Sequence, residues 1–352
     1  MFLRSILKII LKQTKNLAIA FFLGIVIFIL VSRLTIAPVN TPAASSSIRG
    51  IWLSHLGNAW LTYTAQTDNA FHQLSRLNYN RVYLGVYNDG TIYPSQYTPR
   101  NYLVSLPFTN PLKTAIQQAK RLGLKVYAWY EHGMMTFPNA KLAKHHPDWI
   151  LATDNNEKFI DKHWWLDPAN PEVQEYFINL FMEVALSYPN LYGIQLDDHW
   201  GIPIQFGDKS AAMTQLTRKV ITAIKEKKPN LVISLSPNPL GFSRKKYGQD
   251  WLAWINEGLI DELIMQLYRP TSADVALAMD NSILPQISRS VDVGVGIYAG
   301  GLFEQKALAE IQQQISIAKQ YGYGYVIFPW KTSLGILRRA SREEKENFLE
   351  AI

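Results

Sequence analysis

Carboxylate side chains beside a histidine are the first feature of this sequence that could do chemistry. Asp197, Asp198 and His199 are consecutive and lie at the end of a short apolar run. Two adjacent carboxylates with an imidazole beside them should differ in pKa, which suits acid and base catalysis. A third carboxylate, Glu131, ends another apolar run in the same way. The pattern predicts a catalytic carboxylate site built from the ends of strands.

Polar and aromatic side chains also cluster at the ends of the other apolar runs. Indole and phenol rings stack on the apolar face of a sugar ring, while amides, imidazoles and carboxylates bond its hydroxyls. The sequence therefore indicates a carbohydrate site. The residues predicted to bind substrate are His55, Trp129, His132, Trp164, Trp165, His199, Trp200, Asn238, Gln266, Tyr268, Arg269 and Trp330.

The elements that must position these residues repeat eight times. From residue 48 onward, a short apolar run is followed by a loop and then by an amphipathic helical stretch. Eight such units predict a (β/α)8 TIM barrel of the α/β class, because the alternative doubly wound sheet usually carries a glycine-rich phosphate turn, which is missing here. The predicted strands are Arg49–His55, Arg81–Tyr87, Lys125–Glu131, Tyr192–Asp198, Leu231–Ser236, Glu262–Tyr268, Val291–Tyr298 and Tyr325–Trp330.

The two ends of such a barrel have different functions. Active sites lie at the C-terminal ends of the strands, whereas the opposite end stabilises the fold. Period-two alternation predicts that Gln195 and Asp197 point into the barrel, and Glu262, which begins its strand, is predicted to be structural. The long, tryptophan-rich segment 132–170 follows a strand end, so it is expected to cover the C-terminal face.

The positive charge of the chain is concentrated at its N-terminus. The net charge is +7, and residues 1–47 hold five basic residues and no acidic one. The remainder is nearly neutral, which argues against a nucleic-acid partner. There is no cysteine, which excludes disulfides, thiolate zinc sites and a cysteine nucleophile. HxH and HExxH spacings are also missing, so neither a catalytic metal nor a cofactor is predicted.

An apolar stretch follows the basic residues. Leu17–Val31 carries no charge, and its extension to residue 37 is long enough to cross a bilayer. We predict a cytoplasmic basic segment (1–16), a transmembrane anchor or signal peptide (17–37), a linker (38–47), the barrel (48–340) and a C-terminal helix (341–352). The positive-inside rule then puts the barrel outside the cytoplasm, tethered to the membrane or, after cleavage, secreted.

Across the predicted barrel, the chain resembles a known family of exported bacterial barrel proteins, the glycosyl hydrolase-like 10 (DUF187) family, in a cyanobacterial-type form. The resemblance covers about residues 48–340 in the expected order. The matching phrases are RGIWLSH (49–55), GLKVYAWYEHG (123–133), HPDWI (146–150), WLDPANPEVQEYF (165–177), YGIQLDDHWGIP (192–203), SLSPNP (234–239), DWLAWINEGLIDELIMQLYR (250–269) and YGYVIFPW (323–330). It implies a TIM barrel that acts on a glycan, with relatives linked to the glycan strands of peptidoglycan.

Together these features predict an exported glycoside hydrolase that cleaves O-glycosidic bonds of a cell-wall or envelope polysaccharide, with peptidoglycan-like strands favoured. Such enzymes use two carboxyl groups that flank the scissile bond. Asp197 is expected to be the nucleophile or general base. Glu131 or Asp198 is expected to be the general acid, with its pKa raised by Tyr130, Trp129 and Trp200 nearby.

Three alternatives are open from the sequence. The substrate's own N-acetyl oxygen could be the nucleophile, in which case Asp197 and Tyr268 would orient the acetamido group. A glycan-binding barrel that has lost its catalytic power would keep the aromatic residues without a competent acid pair. A metal-dependent deacetylase or amidase is the third alternative, and the histidine spacing disfavours it.

Overall fold

Eight parallel strands close into a barrel in the computed structural model, in the order in which they occur along the chain. They are β1 (Arg49–Leu53), β2 (Arg81–Gly85), β3 (Lys125–Tyr130), β4 (Gly193–Asp197), β5 (Val232–Ser236), β6 (Glu262–Gln266), β7 (Asp292–Tyr298) and β8 (Gly324–Phe328). β8 pairs with β1, with Ile327 opposite Ile51, and this pairing closes the barrel. The structure describes residues 19, 23–24, 47–102, 104–335 and 337–351. The predicted eight-stranded (β/α)8 barrel is confirmed.

Helices follow the strands around the outside of the barrel. Two of them begin at an asparagine N-cap followed by proline, where Asn110 accepts from the Lys113 amide and Asn170 from the Glu172 amide. The α-helices are His55–Tyr63, Thr67–Arg76, Pro111–Arg121, Lys141–His145, Pro171–Ser187, Ser210–Lys227, Leu240–Tyr247, Trp251–Asn256, Ser272–Asp280, Leu284–Ile287, Leu308–Gln320, Trp330–Ser333 and Arg342–Ala351. Short 3₁₀ helices cover Pro147–Trp149 and Ile204–Phe206.

Segment 132–170 folds into a layer of its own. Met135–Thr136 pairs with Trp164–Trp165 in an antiparallel hairpin. Asp89, in the loop after β2, accepts hydrogen bonds from the Thr136 hydroxyl and the Phe137 amide, so the hairpin is tied to the C-terminal end of the barrel. The segment therefore lies where the sequence predicts it.

A buried ion pair fills the N-terminal end of the barrel interior. Arg81 of β2 and Glu262 of β6 are 3% and 1% exposed, and Arg81 Nε lies 2.8 Å from Glu262 Oε2. The Tyr83 and Tyr127 hydroxyls also donate to Glu262, at 2.8 and 2.9 Å. The Glu262 carboxylate is thus fully partnered at the end of the barrel away from the loops of the site. The prediction that this residue is structural is confirmed.

The large rings inside the barrel require a glycine opposite them. A Cβ atom on Gly193 of β4 would lie 2.6 Å from the Tyr127 ring, closer than carbon atoms can approach. Any side chain at this position would displace Tyr127 and with it a hydrogen bond to Glu262. This close approach explains a glycine at the start of the strand that carries Asp197 at its other end.

Most of the predicted N-terminal segments (1–16, 17–37 and 38–47) lie outside the described residues. Within the described part of the chain, none of the helices has the length and apolar character needed to cross a bilayer.

Replacing Glu262 by glutamine should destabilise the fold, because it leaves the buried Arg81 charge without its carboxylate. Removing one partner of a buried ion pair costs about 3–5 kcal/mol. Asp292→Asn is the matched control, since Asp292 contacts the same guanidinium but is 69% exposed, and it should cost less than about 1 kcal/mol. Chemical denaturation measures both variants, and similar losses for the two would show that the Arg81–Glu262 pair is not what stabilises the barrel.

Candidate active site

Asp197 lies inside the C-terminal end of the barrel. On the same strand, Gln195 accepts from Trp52 Nε1 across the interior at 2.7 Å, which confirms the predicted alternation of β4. Asp197 is 4% exposed, and its Oδ1 accepts from Gln266 Nε2 of β6 at 3.0 Å. Gln266 also donates to the Ser236 hydroxyl oxygen at 3.1 Å, so its amide is fixed between β4 and β5. The carboxylate is therefore held by barrel strands, which are more rigid than loops.

The charges around Asp197 move its pKa. Burial first and the neighbouring Asp198 carboxylate next raise the pKa of Asp197 to about 7, although His199 opposes the shift. Burial would lower the pKa of His199, but Asp198 and then Asp197 outweigh this effect and raise it to about 9. His199 Nδ1 lies 3.1 Å from Asp198 Oδ1 and 3.9 Å from Asp197 Oδ2. At neutral pH, the cluster of Asp197, Asp198 and His199 thus combines an imidazolium with a carboxyl group that can hold a proton.

The turn that follows β4 is fixed by Gln249 and Gly133, which the sequence did not single out, and by the predicted residue Asn238. The Gln249 amide donates to the carbonyl oxygens of Asp197, Asp198 and Trp200, and Gln249 is fully buried. Gly133 lies against the same turn with φ +50, and a Cβ atom there would meet the His199 carbonyl oxygen at 2.4 Å. A left-handed glycine is needed at this contact. Asn238 completes the support by donating to Asp198 Oδ2 at 2.8 Å.

Glu131 faces Asp197 from the neighbouring strand. Tyr130 of β3 pairs with Leu196 of β4, so the next residues, Glu131 and Asp197, lie at the same level. Both residues therefore lie at the C-terminal ends of adjacent strands, where the site of a barrel is expected. Glu131 also raises the pKa of Asp197 to a smaller degree. His55 Nδ1 lies 3.0 Å from Glu131 Oε2 and fixes that carboxylate.

An aromatic wall stands on the other side of Asp197. Tyr268 is stacked with Phe328 at a ring-centroid distance of 6.0 Å and lies 5.4 Å from Tyr298. The pKa of the Tyr268 phenol is raised by burial first and by Asp197 and Asp198 next, so the hydroxyl keeps its proton beside both carboxyls. Tyr298 and Phe328 were not predicted as site residues. Their positions at the ends of β7 and β8 were the available signal.

Glu131 and His199 line a cleft of about 330 Å3, called the carboxylate cleft below. Its lining includes Glu131 and His199, which follow barrel strands, and Tyr247 from the segment after β5. His132 and His163 come from segment 132–170, called the insertion below. Burial lowers the pKa of His132 well below its usual value, with further lowering by the other histidines, so this imidazole is neutral. The predicted residues His55, His132, His199, Asn238, Gln266 and Tyr268 thus gather around the carboxylates.

Two tryptophans that were predicted to bind substrate, Trp200 and Trp165, are buried away from the surface of the cleft. Trp200 is fully buried outside the barrel, where it packs edge-on against Phe177 and donates to Thr217 Oγ1. Trp165 is also fully buried and donates to the Ile160 carbonyl oxygen, so it supports the cleft from behind without reaching its surface. Trp164 is half-buried, with Lys158 Nζ 5.8 Å from its ring, and its contact with substrate stays a prediction.

Two other tryptophans that were predicted to bind substrate, Trp330 and Trp129, are also buried. Trp330 is 6% exposed and packs beside Gly335, so it belongs to the core. Trp129 lies inside the barrel below Glu131, is 4% exposed, and has an indole ring 6.2 Å from that of Trp52. It forms part of the barrel filling under the site. Arg269 follows Tyr268, and its carbonyl oxygen accepts from Lys306 Nζ; its contact with substrate stays a prediction.

Asp197, Asp198 and His199 also have the composition of a metal site. Within the described residues, one ligand atom from each of the three lies within 4.8 Å of the others. A metal needs a deprotonated imidazole, whereas both carboxylates favour the protonated form of His199. A cation would therefore have to displace a proton from a residue that is already ion-paired.

Fold and geometry together define a (β/α)8 barrel with a carboxylate cluster at its C-terminal face. The family model "Glycosyl hydrolase-like 10" matches residues 47–215 and 209–321, and the chain belongs to this family. It is 28% identical over 313 residues to glycosyl hydrolase DigH of Escherichia coli (strain K12), covering 68% of this chain and 69% of that protein.

Solved structures share the barrel fold. The glycoside hydrolase domain of PgaB (BpsB) from Bordetella bronchiseptica aligns with a TM-score of 0.61 at 12% identity, covering 80% of this chain and 93% of that one. The GH36 alpha-galactosidase AgaB from Geobacillus stearothermophilus aligns with a TM-score of 0.56 at 16% identity, covering 88% of this chain and 41% of that one. At these identities the likeness concerns the fold.

Replacing Asp198 by asparagine should lower the pKa of His199, because Asp198 is the strongest of the interactions that raise it. With burial then less opposed, we expect the value to fall from about 9 toward the ordinary value of 6.5 or below it. Titration of the histidine ring signals by NMR measures the change, and the exposed His145 serves as an internal reference that should not shift. A His199 signal that still titrates near the original value in the variant would contradict the assigned ion pair.

Proposed function

We propose that this protein is a glycoside hydrolase in which Asp197 and Glu131 act on the two sides of a glycosidic bond. One observation carries the proposal. Two carboxyl groups lie at the same level on adjacent strands of the barrel, and the pKa of one of them is raised to about 7. Glycosidases need such a difference between two neighbouring carboxyl groups, one holding a proton and the other ionised.

The electrostatics support a division of roles that differs from the sequence-based one. Asp197, with its raised pKa, holds a proton near neutral pH and is the general acid that protonates the leaving oxygen. Glu131, which is paired with His55, is the second carboxyl group and stabilises the developing positive charge. Tyr268 keeps its phenolic proton and can donate to a ring substituent of the sugar, as an acetamido group would require.

The roles proposed for the two carboxyl groups imply retention of configuration. A general acid opposite a second carboxylate that stabilises or attacks the anomeric carbon is the arrangement of retaining enzymes. Both a carboxylate nucleophile and a substrate acetamido nucleophile give retention. The anomeric form of the first product, observed by NMR, is therefore expected to match that of the substrate.

The proposed substrate is a polysaccharide of the cell envelope, with peptidoglycan-like glycan strands favoured. The basic N-terminus followed by an uncharged run supports export of the barrel, either tethered to the membrane or secreted. Membership in a glycosyl hydrolase-like family supports a carbohydrate substrate.

A metal-dependent deacetylase is the second candidate, since Asp197, Asp198 and His199 could hold a cation. The two candidates give different products from an N-acetylated glycan. Hydrolysis of the glycosidic bond creates new reducing ends, whereas deacetylation releases acetate and is abolished by a chelator. Mass spectrometry of digested chito-oligosaccharides and peptide-free glycan strands distinguishes them, and binding with neither product would identify a barrel without catalytic power.

Activity should fall as pH rises through the pKa of Asp197. A general acid works in its protonated form, so a value raised to about 7 keeps the enzyme active in acidic and neutral solution and inactivates it in alkaline solution. The measurement is kcat/KM against pH, which reports on the free enzyme. A profile that rises through pH 7 would instead make Asp197 the base or nucleophile.

The Asp197→Asn variant should keep its shape and lose the transferable proton. We expect kcat to fall ~10²- to 10⁴-fold while substrate affinity changes little, as is typical of lost acid catalysis. Asp154→Asn, on an exposed loop of the insertion, is the matched control and should retain full turnover. Normal turnover in Asp197→Asn would exclude the proposed mechanism.

A further inference from the structure

A small cavity lies outside the barrel, near the seam where β8 pairs with β1 and closes the sheet. It has a volume of about 60 Å3 and is called the seam cavity below. Its walls come from four helices, Thr67–Arg76 after β1, Leu308–Gln320 after β7, and Trp330–Ser333 and Arg342–Ala351 after β8. The seam cavity and the carboxylate cleft have no lining residue in common, so the two are separate.

A buried guanidinium group lines the seam cavity. Arg338 is 7% exposed, and its Nη1 donates to the carbonyl oxygens of Lys306 and Thr332 at 2.8 and 3.3 Å. Its Nε is also buried, and within the described part of the chain it has no hydrogen-bond partner. A buried N–H donor without an acceptor destabilises the fold. Arg338 therefore has a donor available for a ligand in the cavity.

The charge of Arg338 is not neutralised by contact with a carboxylate. Among the residues that the structure describes, no Asp or Glu side chain forms an ion pair with it. Glu344 acts on the guanidinium from a distance, and its carboxylate accepts instead from the Ser341 amide at 2.7 Å. The exposed Lys345 adds a second positive charge to the lining. Because buried charges in proteins are normally paired, the cavity favours an anion.

Much of the remaining lining is apolar. Lys345, Phe348 and Leu349 are spaced so that they share one face of the C-terminal helix, and Leu308 and Leu334 add further apolar surface. Phosphate, which is strongly hydrated on all sides, would lose water against these side chains without compensation. An acid with a short hydrocarbon group would instead bury apolar surface there. The lining therefore favours an anion with one charged end and one apolar end.

We propose that the seam cavity binds a small aliphatic carboxylic acid in its ionised form, with the carboxylate on Arg338 and the hydrocarbon group against Phe348 and Leu349. The volume limits the ligand to a few atoms, because a single water already requires about 10–15 Å3 of such space. The bound acid contacts the C-terminal helix and the helices beside it, and so ties the end of the chain to the seam of the barrel. This site does not depend on the proposed glycosidase function.

Calorimetry on the full-length protein tests the chemistry of the ligand with butyrate as the probe. Butyramide has a similar shape without the charge, and we expect it to bind about 10- to 100-fold more weakly. Acetate has a shorter hydrocarbon group and should bind about tenfold more weakly than butyrate. Inorganic phosphate should also bind more weakly. Equal affinity for butyrate and butyramide, or tighter binding of phosphate than of butyrate, would overturn the proposal.

Two neighbouring arginines provide a matched pair of variants. Arg338→Met should weaken butyrate binding at least about tenfold. Arg339→Met should leave it unchanged, because Arg339 is exposed and donates to the Leu302 carbonyl oxygen outside the cavity. Lys345→Met, at an exposed position that tolerates substitution, should weaken binding about two- to fivefold. Unchanged affinity in a folded Arg338→Met variant, or in Lys345→Met if the first variant does not fold, would contradict the site.

The response of the fold to butyrate separates ligand binding from a purely structural role of Arg338. The cavity exists only in the folded protein, so butyrate should raise the Tm and slow hydrogen exchange of the amides in Arg342–Ala351. A structural arginine would change the Tm of Arg338→Met without any dependence on butyrate. If butyrate neither raises the Tm of the unaltered protein nor protects its C-terminal helix, the seam cavity is not a binding site.

Discussion

A charged side chain that points into the barrel must find a partner, because the packed interior excludes the water that would otherwise solvate it. At the N-terminal end this requirement is met completely. Arg81 pairs with Glu262, and the Tyr83 and Tyr127 hydroxyls use the remaining acceptor capacity of the carboxylate. The strands that bear these residues, β2, β3 and β6, are thereby held together across the interior, and the C-terminal end is built on the frame they form.

At the C-terminal end the same requirement is met only in part. Asp197, Asp198 and Glu131 converge there, and His199 is the cation that interacts with all three. Three carboxyl groups cannot all be ionised around one imidazolium at low energy. Burial first and the neighbouring negative charge next raise the pKa of Asp197, the most buried of the three, so this carboxyl group can hold a proton near neutral pH. The need to compensate buried charge thus gives a structural ion pair where the charges balance, at Arg81 and Glu262. It gives a carboxyl group able to transfer a proton where they do not balance, at Asp197.

The loops act mainly by fixing the turn after β4. Gln249 holds three of its carbonyl oxygens, and Gly133 lets the insertion pass within van der Waals reach of His199. The tryptophans of the insertion are part of this support, with Trp149 donating to Glu172 and Trp165 packed behind His199. Rigid support of this kind keeps catalytic groups in place without further ordering when substrate binds.

The sequence by itself determined the barrel, since eight apolar runs at regular intervals correspond to the eight strands. It also determined that Gln195 and Asp197 face inward and that Glu262 lies at the stabilising end, because alternation and strand position are local properties. The roles of the tryptophans were decided only by the tertiary structure. Trp200 follows a strand end, as a site residue would, yet it turns outward and packs on Phe177. The residue type alone does not decide between the two positions, because a large ring can either stack on a sugar or fill a core. The raised pKa of Asp197 and the support by Gln249 likewise depend on residues far apart in the chain, whose distances no local pattern encodes.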